Sequence, residues 1–183
     1  MLGILCLAFG IVNARDITLD QHKTAAIIGI RATPQIVLQV KNKQIIVAGK
    51  KVNFKTIEDQ NGNWGYIATY PGVFNVLVEN LLAESTIIHW HGLILPNDQD
   101  GVAGLTQPYP IAPGKVYHYN FPLKQTGTYW MHSHYGFQEQ EGVEAPLIIT
   151  GPEDKNYQQI VVMFQDFSFK TPESIMALLK HIY

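Results

Sequence analysis

Four histidines fall into two pairs, His89-Trp90-His91 and His132-Ser133-His134. Residues i and i+2 of a strand share one face. Each pair therefore presents two imidazoles side by side, with Ile88 and Trp90 facing away from the first pair and Met131 and Ser133 away from the second. If the two strands are neighbours, four rings converge. Such a cluster resists protonation, because each charged ring repels the next. Its nitrogens then need another partner, and a metal ion answers directly: imidazole suits copper, zinc, iron and nickel. A lone histidine is ordinarily a surface or core residue. A repeated pair, each closely followed by glycine (Gly92 and Gly136), reads as a ligand set. His22, His118 and His181 lack a companion and are read as ordinary polar residues.

The elements that must position these rings read as β-strands. Runs rich in β-branched residues occupy 37–47 and 52–57, and Asn61-Gly62 is a hairpin signal, because both residues tolerate positive φ. Tyr70-Pro71-Gly72 marks a turn. Over 73–80, Phe74, Val76 and Val78 alternate onto one face. Further strands are expected over 85–95, 116–121, 127–134 and 145–150, with a polar loop at 97–104 and a turn at 110–114. No segment before residue 150 has a helical period. Short strands divided by Gly/Pro turns predict an all-β antiparallel sandwich or barrel. A boundary is expected within 151–156, then a strand at Ile160 to Phe164. Thr171-Pro172-Glu173 starts a helix, with Thr as cap and Pro in the first turn.

The bulk composition narrows the function classes. In 183 residues, 46% are hydrophobic and 15% charged, which is globular, and the formal net charge of −2 with no basic run gives no reason to expect nucleic acid or a membrane surface as partner. The single cysteine, Cys6, lies in an uncharged apolar stretch, Met1 to Val12. That stretch is too short to span a bilayer. Residues 1–14 read as a secretory signal cut after Ala14, although no Lys or Arg precedes the apolar run. The protein is then exported, periplasmic or extracellular, and the mature chain has no cysteine for a disulfide or a thiolate–copper bond.

The context of the histidines is specific. Thr86-Ile-Ile-His-Trp-His-Gly-Leu93, Asp100-Gly101, Pro110-Ile-Ala-Pro-Gly114 and Gly127-Thr-Tyr-Trp-Met-His-Ser-His-Tyr-Gly136 resemble, in order, the N-terminal domain of multicopper oxidases, the family of laccases and bacterial copper-resistance oxidases. Phe137-Gln-Glu-Gln140 and Ala145-Pro-Leu-Ile-Ile149 look closest to the copper-resistance branch. Glu144-Ala145 departs from the family, which usually has glycine before Pro-Leu-Ile.

The resemblance implies a cupredoxin-like Greek-key β-sandwich or barrel. It implies that His89 is a ligand of the type 2 copper, and that His91, His132 and His134 are ligands of the paired type 3 coppers. Asp100 matches an acidic residue that assists proton delivery to reduced oxygen; from spacing alone it would be a turn residue before Gly101. Glu139, Glu141 and Glu144 could do similar proton work but are read as a solvated loop. The family's three-copper cluster takes eight histidines, and its blue copper takes a His-Cys-His motif from a C-terminal domain. This sequence holds four of the former and none of the latter.

The expected layout is therefore a signal over 1–14, a cupredoxin-like domain over 15–151, and a linker with the beginning of a truncated second domain over 152–183. The complete enzyme would couple one-electron oxidation of a small reducing substrate to reduction of O2 to water; this chain alone is expected not to complete that cycle. Two readings stand beside it. One is a non-catalytic module that binds or sequesters copper, the other a zinc hydrolase. A separate C-terminal domain complementing the half-cluster is a further expected partner.

Overall fold

A computed structural model describes residues 36–181. The signal expected over 1–14, with Cys6, and His22 lie outside the described residues.

β1 (Ile36–Val47) and β2 (Lys50–Asp59) form an antiparallel hairpin in which Val47 faces Lys50. Its two-residue turn is Ala48-Gly49, with φ of 48° and 77°. Paired positive φ matches the twist of a tight hairpin, but alanine is no signal for it, so the two runs were legible and the turn was not. Asn61-Gly62 does form a turn, in which the Gly62 amide donates to the Asp59 carbonyl. It does not join two strands of one sheet. The Asp59 carboxylate gathers the Asn61 and Asn63 amides, one bridge pairs Glu58 with Trp64, and the chain crosses to the other sheet.

There it forms β3 (Tyr66–Thr69), followed by β4 (Val73–Asn80), β5 (Ile88–His91), β6 (Val116–Pro122), β7 (Gly127–Ser133) and β8 (Glu144–Thr150). Two four-stranded sheets result, in the orders β2-β1-β4-β6 and β3-β8-β7-β5. β1 runs parallel to β4 and β3 parallel to β8; the other pairings are antiparallel. The fold is all-β, as expected.

The core between the sheets follows the alternation. Phe74, Val76 and Val78 are buried from β4, and Tyr119 and Phe121 from β6. Trp90 is buried from β5, Met131 from β7 and Leu147 from β8. Phe74 meets Trp90 at 4.7 Å, Phe121 at 4.8 Å, and Trp90 meets Tyr119 at 4.9 Å between ring centroids. These contacts fix the register of β5, since a slip of one residue would turn Trp90 out and both its neighbours in.

After Gly151 comes a 3-10 turn, Pro152–Asn156. The strand expected at Ile160 to Phe164 is not formed. Ile160, Val162 and Phe164 are 79%, 69% and 92% exposed, and among the described residues no ladder pairs with them. An apolar run becomes a strand only where a neighbouring strand satisfies its backbone. Helix α1 (Pro172–Lys180) begins as predicted, with the Thr171 hydroxyl accepting from the Ser174 amide, and none of its residues is buried. Among the described residues, no helix is long and apolar enough to cross a membrane.

Candidate metal centre

β5 and β7 are adjacent and antiparallel, with His89 opposite His132 and His91 opposite Trp130. Their inward residues Ile88, Trp90, Met131 and Ser133 are buried. Their outward face carries the histidines, and His134 follows one residue beyond β7. The structure thus brings both expected pairs together. The His89 ring lies 5.7 Å from His91, 5.4 Å from His132 and 5.0 Å from His134 between centroids; His132 and His134 are 4.8 Å apart.

His89 is held by the loop after β5. Its Nδ1 donates to the Asp100 carbonyl at 2.7 Å, and an Asp100 carboxylate oxygen stands at 3.3 Å. Nε2 is thereby left with its lone pair. Asp100 caps a 3-10 turn, Asn97–Gln99, and Gly101 follows at φ 78°. A methyl group at Gly101 would overlap the Ile88 carbonyl oxygen. Only glycine lets this loop press onto β5 directly beside His89.

His132 is buried, and its ring stacks on Trp130 at 4.0 Å and 13°. Trp130 also stacks on His91, at 5.1 Å and 29°. His132 Nε2 faces His91 Nδ1 at 3.3 Å. On the other side, His132 Nδ1 lies 2.8 Å from Glu139 Oε2, close in distance but without the alignment of a good hydrogen bond. Burial, aided by the neighbouring rings, pushes the pKa of His132 and of His134 below the usual value. Neutral rings keep the lone pair that a metal needs.

The loop after β7 carries Glu139. Its anchor is Gln138, whose side chain is buried. Gln138 Oε1 accepts from the Thr86 hydroxyl at 2.7 Å and the Ser133 hydroxyl at 2.9 Å, and Nε2 donates to the Ser85 carbonyl at 2.7 Å. Lys55 pairs with Glu84 and with Glu141. Gly142 closes the loop at φ 100°, where a side chain would overlap the Phe54 ring. Glu144 stands on β8 opposite His132, half-buried, and burial raises its carboxyl pKa.

Sequence reasoning read Glu139 as part of a solvated loop and gave Gln138 and Trp130 no role at the site. Phe137-Gln-Glu-Gln140 stood out as a motif, but no periodicity separates a buried loop glutamine from a solvated one. Trp130 shared the histidine face in the strand pattern, which was the available signal. His118 takes no part: it stands on β6 of the other sheet, and its Nε2 lies 2.7 Å from Asn75 Oδ1. His181 is exposed beyond α1.

The donors suit a metal of the imidazole-binding class. Two nitrogens bound to one tetrahedral ion at roughly 2.0–2.1 Å stand about 3.3 Å apart. The His91–His132 contact has that separation, with no other reason for two imidazole nitrogens to face each other beyond sharing a proton. One donor atom each from His89, His132 and His134 lie within 4.8 Å of one another, a wider group. The four rings therefore do not converge on a single point.

Known proteins resemble this chain in sequence and in fold. The profile of the family described as multicopper oxidase matches residues 38–154. Copper resistance protein A of Pseudomonas syringae pv. tomato is 49% identical over 106 residues, covering 56% of this chain and 17% of that protein. Laccase-2 of Botryotinia fuckeliana is 41% identical over 99 residues, covering 52% of this chain and 17% of its own length. Among solved structures, the laccase from Botrytis aclada is 39% identical with a TM-score of 0.57, covering 64% of this chain and 22% of that one. The chain spans about a sixth of the length of these two curated relatives, as their 17% coverage states.

Proposed function

This chain belongs to the multicopper oxidase family, and from that premise we propose that His89, His91, His132 and His134 are its copper ligands and half of an eight-histidine, three-copper shell. His89 serves the type 2 copper; His91, His132 and His134 serve the type 3 pair. Copper there supplies one-electron redox chemistry, coupling oxidation of a small reducing substrate to reduction of O2 to water in the complete enzyme. The remaining histidines and the blue-copper site come from a complementing C-terminal domain.

One observation carries this reading. His132 stands between two groupings, with His91 at 3.3 Å and with His89 and His134 within 4.8 Å, a spread that suits neighbouring ions with one histidine nitrogen for each bond. The protein's own part is positional. Trp130 fixes two rings by stacking, the Asp100 carbonyl fixes a third, and β5 and β7 set the spacing. Asp100 is the catalytic acid: its half-exposed carboxylate, beside His89 Nδ1, moves protons between solvent and the site. Residues 1–14 direct export to the periplasm or cell exterior, 15–151 form the copper-binding domain, and 152–183 are linker and the beginning of a second domain.

Metal analysis and electron paramagnetic resonance on the copper-loaded chain test the proposal. Bound copper with a type 2 signal and no blue absorbance is expected. One equivalent of zinc with copper refused would contradict it. Mass spectrometry of the exported protein is expected to find Arg15 at its N-terminus.

A further inference from the structure

We propose that Glu139 is a positioning residue that fixes the tautomer and orientation of His132. The proposal rests on the copper reading of His132 given above.

The argument begins with what His132 lacks. Its side chain is 5% exposed, so water cannot serve its nitrogens freely. Nε2 is directed at His91 Nδ1. Nδ1 is buried and has no aligned hydrogen-bond partner, and the acceptor beside it is Glu139 Oε2 at 2.8 Å. Stacking on Trp130 at 4.0 Å holds the plane of the ring. The carboxylate can move instead, since a glutamate side chain has three torsions and Glu139 is one-third exposed, at 34%. Rotation about those torsions can bring Oε2 into line with the Nδ1–H.

Nitrogens of a neutral imidazole are not equivalent. A proton held on one by an acceptor leaves the lone pair on the other. A carboxylate at Nδ1 therefore commits Nε2 to donation, on the side where His91 and the other rings gather. It also makes the ring a stronger donor.

The position of Glu139 is not left to the loop's own stiffness. Its neighbour Gln138 is locked by three side-chain hydrogen bonds to Thr86, Ser133 and Ser85. Two residues on, Glu141 is tied to Lys55. The Glu139 carbonyl accepts from the Gly142 amide at 2.9 Å. A solvated loop glutamate needs no such scaffold. Among Glu139, Glu141 and Glu144, only Glu139 brings a carboxylate oxygen within 4.0 Å of a site histidine nitrogen in the described residues.

The test uses the full chain without metal first. Imidazole nitrogen shifts of His132, read by long-range nitrogen–proton NMR, are expected to report the Nδ1–H tautomer. Glu139→Ala is expected to shift the ring toward Nε2–H, and Glu139→Gln to restore Nδ1–H, because its amide oxygen still accepts. Copper affinity by chelator competition is expected to fall about 10–100-fold in Glu139→Ala, the usual loss when a ligand's supporting partner goes. An unchanged Nδ1–H tautomer in Glu139→Ala, in a chain still folded by its amide spectrum, would overturn the proposal. Loss of affinity in His132→Ala beside that result would show the copper reading intact. A tautomer that follows residue 139, with affinity unchanged in both Glu139→Ala and His132→Ala, would support the positioning and overturn the copper reading.

Discussion

Two loops hold one histidine each, and they do so with different parts of the chain. The loop after β5 reaches His89 through a backbone carbonyl, that of Asp100. The loop after β7 reaches His132 through a side chain, that of Glu139, on a segment pinned by the side chain of Gln138. A hold made by backbone depends on conformation, so its weak point is the glycine that permits the close approach. A hold made by side chains depends on residue identity, so each member can be removed separately. A variant at the glycine of the first loop should act on the fold, and one at Glu139 in the second on a particular nitrogen.

Gly101→Ala is expected to have the largest effect. It places a methyl on the Ile88 carbonyl and a non-glycine residue at φ 78°. Left-handed backbone and overpacking together suggest a loss of about 2–4 kcal/mol, read as a lowered thermal midpoint. The His89 imidazole signals should shift with it. A midpoint within error of the wild type would break the backbone half of the comparison.

Gln138→Ala comes next. It leaves the Thr86 and Ser133 hydroxyls and the Ser85 carbonyl without that partner. Stranded buried polar groups suggest a loss of about 2–3 kcal/mol, measured by urea unfolding. Amide exchange should quicken over 134–143 while that around Asp100 stays as it was. Faster exchange in both loops would mean that they are not independent.

Trp130→Leu keeps the apolar bulk but removes the stacked face under His91 and His132. A stability change near 1 kcal/mol is expected, since aromatic pairs contribute about 0.5–1.5 kcal/mol. Copper affinity should fall more than stability does. The smallest effect belongs to Asp100→Asn. The carbonyl that holds His89 remains, so copper affinity by chelator competition should stay within about twofold, well under the 10–100-fold typical of losing a ligand's supporting partner. A larger loss would show that the carboxylate, not the carbonyl, does the holding.

The same contrast explains what was legible in the sequence. The histidine pairs were readable because strand geometry has a fixed period, and Trp90, Met131 and Ser133 turned inward as that period requires. Asp100-Gly101 was readable as a turn, but nothing in its spacing says which strand the turn presses on. The tertiary packing of Gly101 against Ile88 supplies that. Gln138 and Glu139 sit in a loop without period, and their roles depend on Thr86 and Ser133, brought near by the pairing of β5 with β7. The apolar run from Ile160 to Phe164 misled for the opposite reason. Its composition suits a strand, yet among the described residues no strand pairs with it in a ladder.

A copper competition titration on the wild-type chain, on single alanine variants of His89, His91, His132 and His134, and on His181→Ala tests the central claim most directly. Tight binding in the wild type and in His181→Ala is predicted, with at least about tenfold weaker binding in each of the four site variants, and the greatest loss at the buried His132. Equal affinity across all six proteins would contradict the assignment of these histidines as ligands.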